Sequence, residues 1–467
     1  MSDKTTSEKS WGPHGSARYS KVDDIEQSDL FWSNFEADNH TVPLNHFLRL
    51  QRQGHLLTVG STRSGKGIRQ LIPSILAAEG ISIVVYDPKG EIAGITHGHR
   101  ERLGIRHANG FEHNVFLFNP WHLHGLRCDS INPFSLLDPG DPDIRDDAAM
   151  LADLIVTDDP KGEKHWTQRA RQMVTAILVY MACHLPRGSC TPITLWQLLR
   201  QTDSDWQQMV DMMRYSNIDD FDVREQIQRA GNMLDNLNDR EMASIRSAAQ
   251  NATDTFSGRA IRSAVTDTDL DLRNFTADTH SVYLMVPLEK TGSHQPITRL
   301  VLSAIMKAAV KYHTGNQRTV FYLDEFTSLG HLEIIEQAYA SYAGLDITVW
   351  PFIQNIRQLH KHYPDSWTTF LANAEVATFF GINDLATAQF VSDMAGTRTV
   401  WSENRSTGEN ISQSKGQNRS QTSGSTTSRG HSHGSSTTYT NPGELLGYRW
   451  FDDKSVTSSY SQQFSQS

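Results

Sequence analysis

Three short stretches of this chain carry residue types at spacings suited to phosphate chemistry. Gly60-Ser61-Thr62-Arg63-Ser64-Gly65-Lys66 has the spacing of a phosphate-binding loop. Its glycines let the backbone curl so that successive N–H groups face phosphate oxygens, and Lys66 is placed to reach the outer phosphates. Gly67 follows the lysine where a Ser or Thr hydroxyl normally holds magnesium. Far downstream, the apolar run Val320-Phe321-Tyr322-Leu323 delivers Asp324 and Glu325 at its end. Asp324 suits a magnesium ligand, direct or through water, and Glu325 suits the polarisation of an attacking water. The bland alternative is a pair of solvated acids at a strand end. Gln354 ends another apolar run, and by its chemistry alone it reads as a surface glutamine.

These groups need rigid mounts. His55–Gly60 is a short apolar run ending in the glycine-rich turn, and Ile68, Leu71, Ile72 and Ile75 then fall at helical spacing. Ile81–Tyr86 is β-branched and bounded by Gly80 and Asp87-Pro88, as buried parallel strands are. Strand, turn, helix and strand in that order make a βαβ unit. Further strands are expected at Ser281–Pro287, Thr319–Asp324, Asp346–Trp350 and Val376–Phe380, with helices near 296–313, 331–343, 355–361 and 384–395. Residues 143–262 differ, with helical patterns at Trp166–His184 and Val223–Gln250 and few β-branched runs. The reading is a parallel α/β sheet interrupted by an all-α insertion and then completed.

With 467 residues, 38% hydrophobic and 21% charged, the chain can bury a sizeable core. Its three cysteines cannot frame a disulfide scaffold at this length, which suits a reducing compartment. No run approaches the roughly 20 apolar residues of a membrane helix, and the polar N-terminus gives no expectation of a cleaved secretion signal. The net charge of −10 argues against a surface that coats nucleic acid everywhere, though not against a local basic channel. The expected layout is an N-terminal arm (1–40), a nucleotide-binding domain in two parts (41–142 and 263–401), the inserted all-α domain (143–262), a Ser/Thr/Gly-rich disordered tail (402–440) and a C-terminal segment (441–467).

Together these residues resemble the TraG/TraD-like coupling proteins of type IV secretion and conjugation. The likeness begins at His14-Gly15-Ser16-Ala17-Arg18-Tyr19 and continues through Thr62–Gly67, where glycine after the lysine is common in that family. Tyr86-Asp87-Pro88-Lys89-Gly90-Glu91, Ile131-Asn132-Pro133-Phe134, and His165-Trp166 with Ala170-Arg171 follow. Leu323–Gly330 is similar to the family's acidic motif and Phe352-Ile353-Gln354 to its glutamine motif. The matches span roughly residues 14–400. The resemblance implies a RecA-like P-loop NTPase domain with an inserted all-α domain, using ATP and Mg2+ and assembling as a homo-hexamer. It also implies a place in the cytoplasm at the inner face of the cell membrane. There such a protein receives a relaxase–DNA complex, with single- or double-stranded DNA, or a secreted effector, and passes it to type IV secretion channel proteins. On this likeness Gln354 becomes a phosphate sensor and the helical insertion the substrate-receiving face.

Two departures stand out. Relatives usually carry N-terminal membrane helices, so a separate membrane anchor protein is expected. Some relatives have an arginine about nineteen residues past the acidic motif, suited to a neighbour's nucleotide, but Ala340–Gly344 has none; Arg299, Arg357 and Arg63 are unranked substitutes. Lys89 and Glu91 read equally as nucleotide contacts or as an ion pair within their turn. His122, His124 and Cys128 are too few for a metal site. Arg224, Arg229, Arg240, Arg246, Arg259 and Arg262 are interspersed with acids and read as a solvated helical face. Beside the ATPase stand two alternatives, a nucleotide-responsive adaptor without sustained turnover and an FtsK-like DNA motor.

Overall fold

Each apolar run picked out by the sequence lacks the alternation of a half-solvated strand, so it must be covered on both faces. In the computed structural model the inner runs are covered in this way, while Val376–Phe380, on an edge strand, is half-buried. The structure describes residues 30–32, 42–44, 48–50, 53–106, 113–157, 164–315, 317–395, 400–406, 409–410, 428–429 and 432–438. The His14–Tyr19 motif and the segment 441–467 lie outside the described residues, as does most of the arm 1–40.

Seven strands form one sheet: β1 (His55–Gly60), β2 (Ser82–Tyr86), β3 (His113–Phe118), β4 (Thr279–Leu284), β5 (Thr319–Leu323), β6 (Ile347–Ile353) and β7 (Ala374–Phe380). Their spatial order is β7-β1-β6-β5-β2-β4-β3, and every pairing is parallel. All carboxyl ends therefore point to one edge. β1, β2, β4, β5 and β6 are buried at every position. Leu71, Ile75, Ile83, Val85, Tyr322 and Trp350 share one core cluster. A hydrogen-bonded string crosses that core beneath the phosphate loop. Trp350 Nε1 donates to Thr58 Oγ1 (2.9 Å), Thr58 Oγ1 donates to Gln70 Oε1 (2.8 Å), and Gln70 Nε2 donates to Thr378 Oγ1 (3.2 Å). It ties β6, β1, the helix after the loop and β7 together, and satisfies polar groups that would otherwise be costly to bury.

Several expectations change in detail. β3, the edge strand, was not anticipated, and neither was the helix Trp367–Ala372. The pattern Val223–Gln250 is two helices, Phe221–Asp235 and Asp239–Ala252; Asn238 ends the break by accepting the Glu241 N–H through its side chain (3.0 Å). Ile68 does not join Leu71 and Ile75 in the core but is 77% exposed. The segment after Lys66 opens with a π-helical turn, Gly67–Leu71, in which the Ile72 N–H bonds the Gly67 carbonyl. That wider turn carries Ile68 off the inward stripe expected at 3.6 residues per turn.

Where the sequence reads as all-helical, the described elements from Ile144–Ile155 to Arg259–Val265 are helices, lying in the chain between β3 and β4. Asp147, fully buried on the first of them, pairs with Lys307 (3.4 Å) and Lys311 of the long helix Leu288–Lys311. Among the described residues, those up to Asn383 form one compact unit and those from Asp384 onward another. The second unit holds the helix Leu385–Ala395 and the strand Val400–Ser406, paired antiparallel with Ser432–Thr438. Of the tail 402–440, expected to be disordered, that ladder and the pairing of Glu409–Asn410 with Ser428–Arg429 are the described part.

Thr58→Val keeps the shape of the side chain but strands Trp350 Nε1 and Gln70 Oε1 in the core. The expected loss is about 2 kcal/mol of stability, read as a lower urea midpoint at unchanged slope. A midpoint equal to that of the parent chain would show that the string does not hold these strands.

Candidate active site

The phosphate loop leaves β1 at Gly60. A Cβ there would meet Ser64 Oγ at 2.8 Å and Phe380 Cβ at 3.2 Å, so only glycine allows the close turn. Arg63 (φ 64°) and Gly65 (φ 90°) are left-handed, which curls Ser61–Lys66 into a cradle. At its end the Lys66 side chain is 11% exposed, and its Nζ is buried without a hydrogen-bond partner, as is Ser64 Oγ. Unpartnered donors are rare in folded interiors, and a phosphate group is the ligand that would satisfy these.

The acidic half sits at the end of β5. The Asp324 N–H continues the ladder by bonding the Tyr86 carbonyl (3.1 Å), and its side chain is buried. Burial and the neighbouring Glu325 push the Asp324 carboxyl above its usual range, opposed by Lys66 and Lys89. Asp87, at the end of β2, is pushed up to about 6, chiefly by burial, although the Ala93 N–H bonds its Oδ2 at 2.8 Å. Its Oδ1 has no partner. Glu325 adopts a left-handed backbone (φ 46°), an uncommon conformation for a glutamate, and this turns its carboxylate toward the loop. Oε1 lies 3.9 Å from Lys66 Nζ and 3.5 Å from Lys89 Nζ, and Oε2 accepts from Gln354 Nε2 at 2.9 Å.

Lys66, Asp324, Glu325 and Gln354 are thus brought together at one edge of the sheet. The sequence reading implies that Lys66 and the Asp324–Glu325 pair stand on adjacent strand tips, but the strands carrying the loop and the acids are not neighbours. β6 runs between β1 and β5, and Gln354 at its tip fills the gap. β2 likewise borders β5 rather than β1. Lys89 pairs with Glu325 rather than with Glu91, which is exposed. Ser61, Thr62, Arg63, Ser64 and Gly65 form the turn from β1 to Lys66, and Gly67 begins the π-helical turn. Gly67 faces open space, because a Cβ there meets nothing within 4 Å. Arg63 and Arg357 are exposed, whereas Arg299 keeps its Nε buried and has its pKa lowered by burial.

Two groups beside the loop lie outside the motifs legible in the sequence. Asn383 Nδ2 donates to Ser61 Oγ (3.2 Å), and Gly381 (φ 46°) packs so close that a Cβ would lie 3.2 Å from Ser64 Cβ. Only the placement of β7 beside β1 exposes them. His124, set aside as a metal ligand, bonds the Lys89 carbonyl through Nε2 (2.9 Å), and no metal-holding cluster of His, Cys, Asp or Glu occurs among the described residues. The donor set suits a hard cation shared with a phosphate. Asp324, with the unpartnered Asp87 Oδ1 nearby, would supply carboxylate oxygen, and magnesium typically takes only one or two such ligands beside phosphate and water.

Comparison with known proteins bears on what such a site serves. The profile of the family described as "Type IV secretory system Conjugative DNA transfer" matches residues 22–429. The conjugal transfer protein TraG of Escherichia coli is 27% identical over 383 residues, covering 78% of this chain and 58% of its own length. VirD4 of Rhizobium radiobacter is 24% identical over 402 residues, covering 83% of this chain and 55% of its own. The chain therefore spans little more than half the length of these relatives. In fold it is similar to the plasmid coupling protein TrwB in complex with the ATP analogue ADPNP (TM-score 0.57, 15% identity, 83% of this chain and 87% of that one). It is similar also to TrwB in complex with ADP and Mg2+ (TM-score 0.54, 15% identity, 74% and 75%). No helix among the described residues is long and apolar enough to cross a membrane. With most of its length inside the family profile, the chain belongs to the type IV secretion and conjugative DNA transfer family.

Proposed function

We propose that the chain is a coupling ATPase that recruits a relaxase–DNA complex, or a secreted effector, and powers its passage into a type IV secretion channel. The observation that carries the reading is the convergence on Glu325 of Lys66, whose Nζ has no hydrogen-bond partner, and Gln354. The TrwB complexes with ADP and Mg2+ and with an ATP analogue support the choice of ATP and Mg2+ as cofactors.

In this reading the loop N–H groups and Lys66 hold the outer phosphates and set the line of attack. Mg2+, when bound, neutralises charge on the phosphate oxygens; Asp324 would hold it, directly or through water. Glu325 takes a proton from the attacking water, whose oxygen bonds the terminal phosphorus while the bridging bond to ADP breaks. Gln354, already on the Glu325 carboxylate, reports whether the terminal phosphate is present. The helical segment 143–262 is the cargo-receiving face. DNA, channel proteins, a separate membrane anchor and a homo-hexameric ring belong to the same proposal, as does a place at the inner face of the membrane. A trans-acting arginine would come from an exposed position, Arg63 or Arg357, in preference to the inward Arg299.

One observation favours a second reading. The open space at Gly67 leaves the loop without the usual magnesium-holding hydroxyl, as would suit an adaptor that binds nucleotide without sustained turnover. Steady-state ATP hydrolysis by the assembled chain, with and without single-stranded DNA, separates the two. The expected result is turnover, and none under any condition would favour the adaptor. Lys66→Ala should lose ATP affinity and substrate transfer together. Glu325→Gln should retain nucleotide but lose about 100-fold or more in kcat, measured by filter binding and phosphate release. Normal transfer by both variants would contradict the proposal.

A further inference from the structure

Both oxygens of Glu325 have neighbours: Oε2 accepts from Gln354 Nε2 at 2.9 Å, and Oε1 faces two ammonium groups, Lys89 at 3.5 Å and Lys66 at 3.9 Å. These neighbours hold the carboxylate toward Gln354 and the two ammonium groups, so an attacking water must compete with them for its orientation. Phosphate binding draws Lys66 away, because its Nζ is the unpartnered donor of the cradle. It leaves Lys89, whose position is built from both sides. Gly90 takes φ 70° and its N–H bonds the Asp87 carbonyl (3.1 Å), closing the turn after β2. His124 Nε2 pins the Lys89 carbonyl at 2.9 Å, and a Cβ at Gly90 would sit 2.9 Å from His124 Cδ2, so glycine alone admits the ring.

His124 belongs to a strained turn. His122 (φ 51°), His124 (φ 55°) and Gly125 (φ 69°) are all left-handed, and buried Asn119 fastens the turn through Leu123 N–H (2.8 Å) and the carbonyls of Leu123 and Leu126 (3.2 Å each). The same loop runs on to the helical segment. There the Ile131 N–H bonds the Ala264 carbonyl (2.8 Å), and Asn132 Nδ2 donates to the Cys190 carbonyl (2.8 Å). Six residues separate His124, which fixes Lys89, from Ile131, and seven separate it from Asn132, the two residues bonded to the helical segment.

We infer that Lys89 is a positioning residue that restrains Glu325, and that the His122–Gly125 turn lets the state of the helical segment release it. This rests on the hydrolytic reading above. Cargo on the helices shifts the loop, the Lys89 turn moves with His124, and Oε1 becomes free to accept the proton of water. Hydrolysis is thereby held low until cargo is present.

The test uses the full chain without DNA or partner protein, measuring steady-state ATP turnover alongside the affinity for a fluorescent ATP analogue. Lys89→Met keeps the aliphatic stem and removes the charge. It should raise cargo-independent kcat about fivefold, the scale of losing a half-exposed ion pair, with KM and analogue affinity little changed. Lys89→Arg should fall back toward the parent rate, and His124→Ala should rise in the same direction by less. A merely structural role for Lys89 would lower turnover or affinity instead. A parent chain that turns over beside an equally fast or slower Lys89→Met overturns the restraint alone. If parent and Lys89→Met both bind the analogue and neither hydrolyses ATP, the hydrolytic reading fails, and the restraint with it.

Discussion

The balance of charge at the carboxyl edge of the sheet is the constraint on which the rest of the molecule depends. Asp87, Asp324 and Glu325 gather there against Lys66 and Lys89, in a place where Asp87 is completely buried and Asp324 nearly so. Charges taken out of water persist only when paired, coordinated or hydrogen-bonded. Burial drives both Asp carboxyls toward the neutral form, and the two lysines hold Asp324 back. Three acids against two cations, with one ammonium lacking a hydrogen bond, make a site unfinished by its own side chains. In the proposed function a phosphate group would meet Lys66 and a divalent cation would meet the acids.

The parallel sheet is what makes the balance possible. Asp87, Asp324 and Gln354 directly follow β2, β5 and β6, Glu325 comes one residue after Asp324, and the loop to Lys66 follows β1. Insertion of β6 between β1 and β5 opens a gap the width of a strand, and Gln354 lies across it on Glu325. Beneath the gap, the string from Trp350 through Thr58 and Gln70 to Thr378 fixes how these strand tips stand relative to one another. Movements of the loop are therefore resisted by the core.

Much of this was legible from local signals. The phosphate loop, the Asp324–Glu325 pair and the glutamine motif are contiguous stretches whose chemistry does not depend on the rest of the chain. Six of the seven strands show themselves by unbroken apolar runs. The seventh, His113–Phe118, opens with His and Asn and lies at the sheet edge, where a full apolar run is unnecessary. Strand order was out of reach, since it is set by which faces pack and not by any one segment. With it went Gln354's place between the loop and the acids, the approach of Asn383 to Ser61, and the pairing of Lys89 with Glu325. Ile68 misled because helical spacing assumes 3.6 residues per turn, and the first turn after Lys66 is wider. The left-handed backbone at Glu325 has no signature in residue type at all.

The most direct test of the central claim is a structure of the full chain with a non-hydrolysable ATP analogue and Mg2+. The account predicts the terminal phosphate about 3 Å from Lys66 Nζ, at hydrogen-bond distance, with the metal beside Asp324 and Glu325 facing the phosphorus across one water. An analogue seated away from Lys66, or bound there with Asp324 and Glu325 turned out of reach of its phosphates, would contradict it.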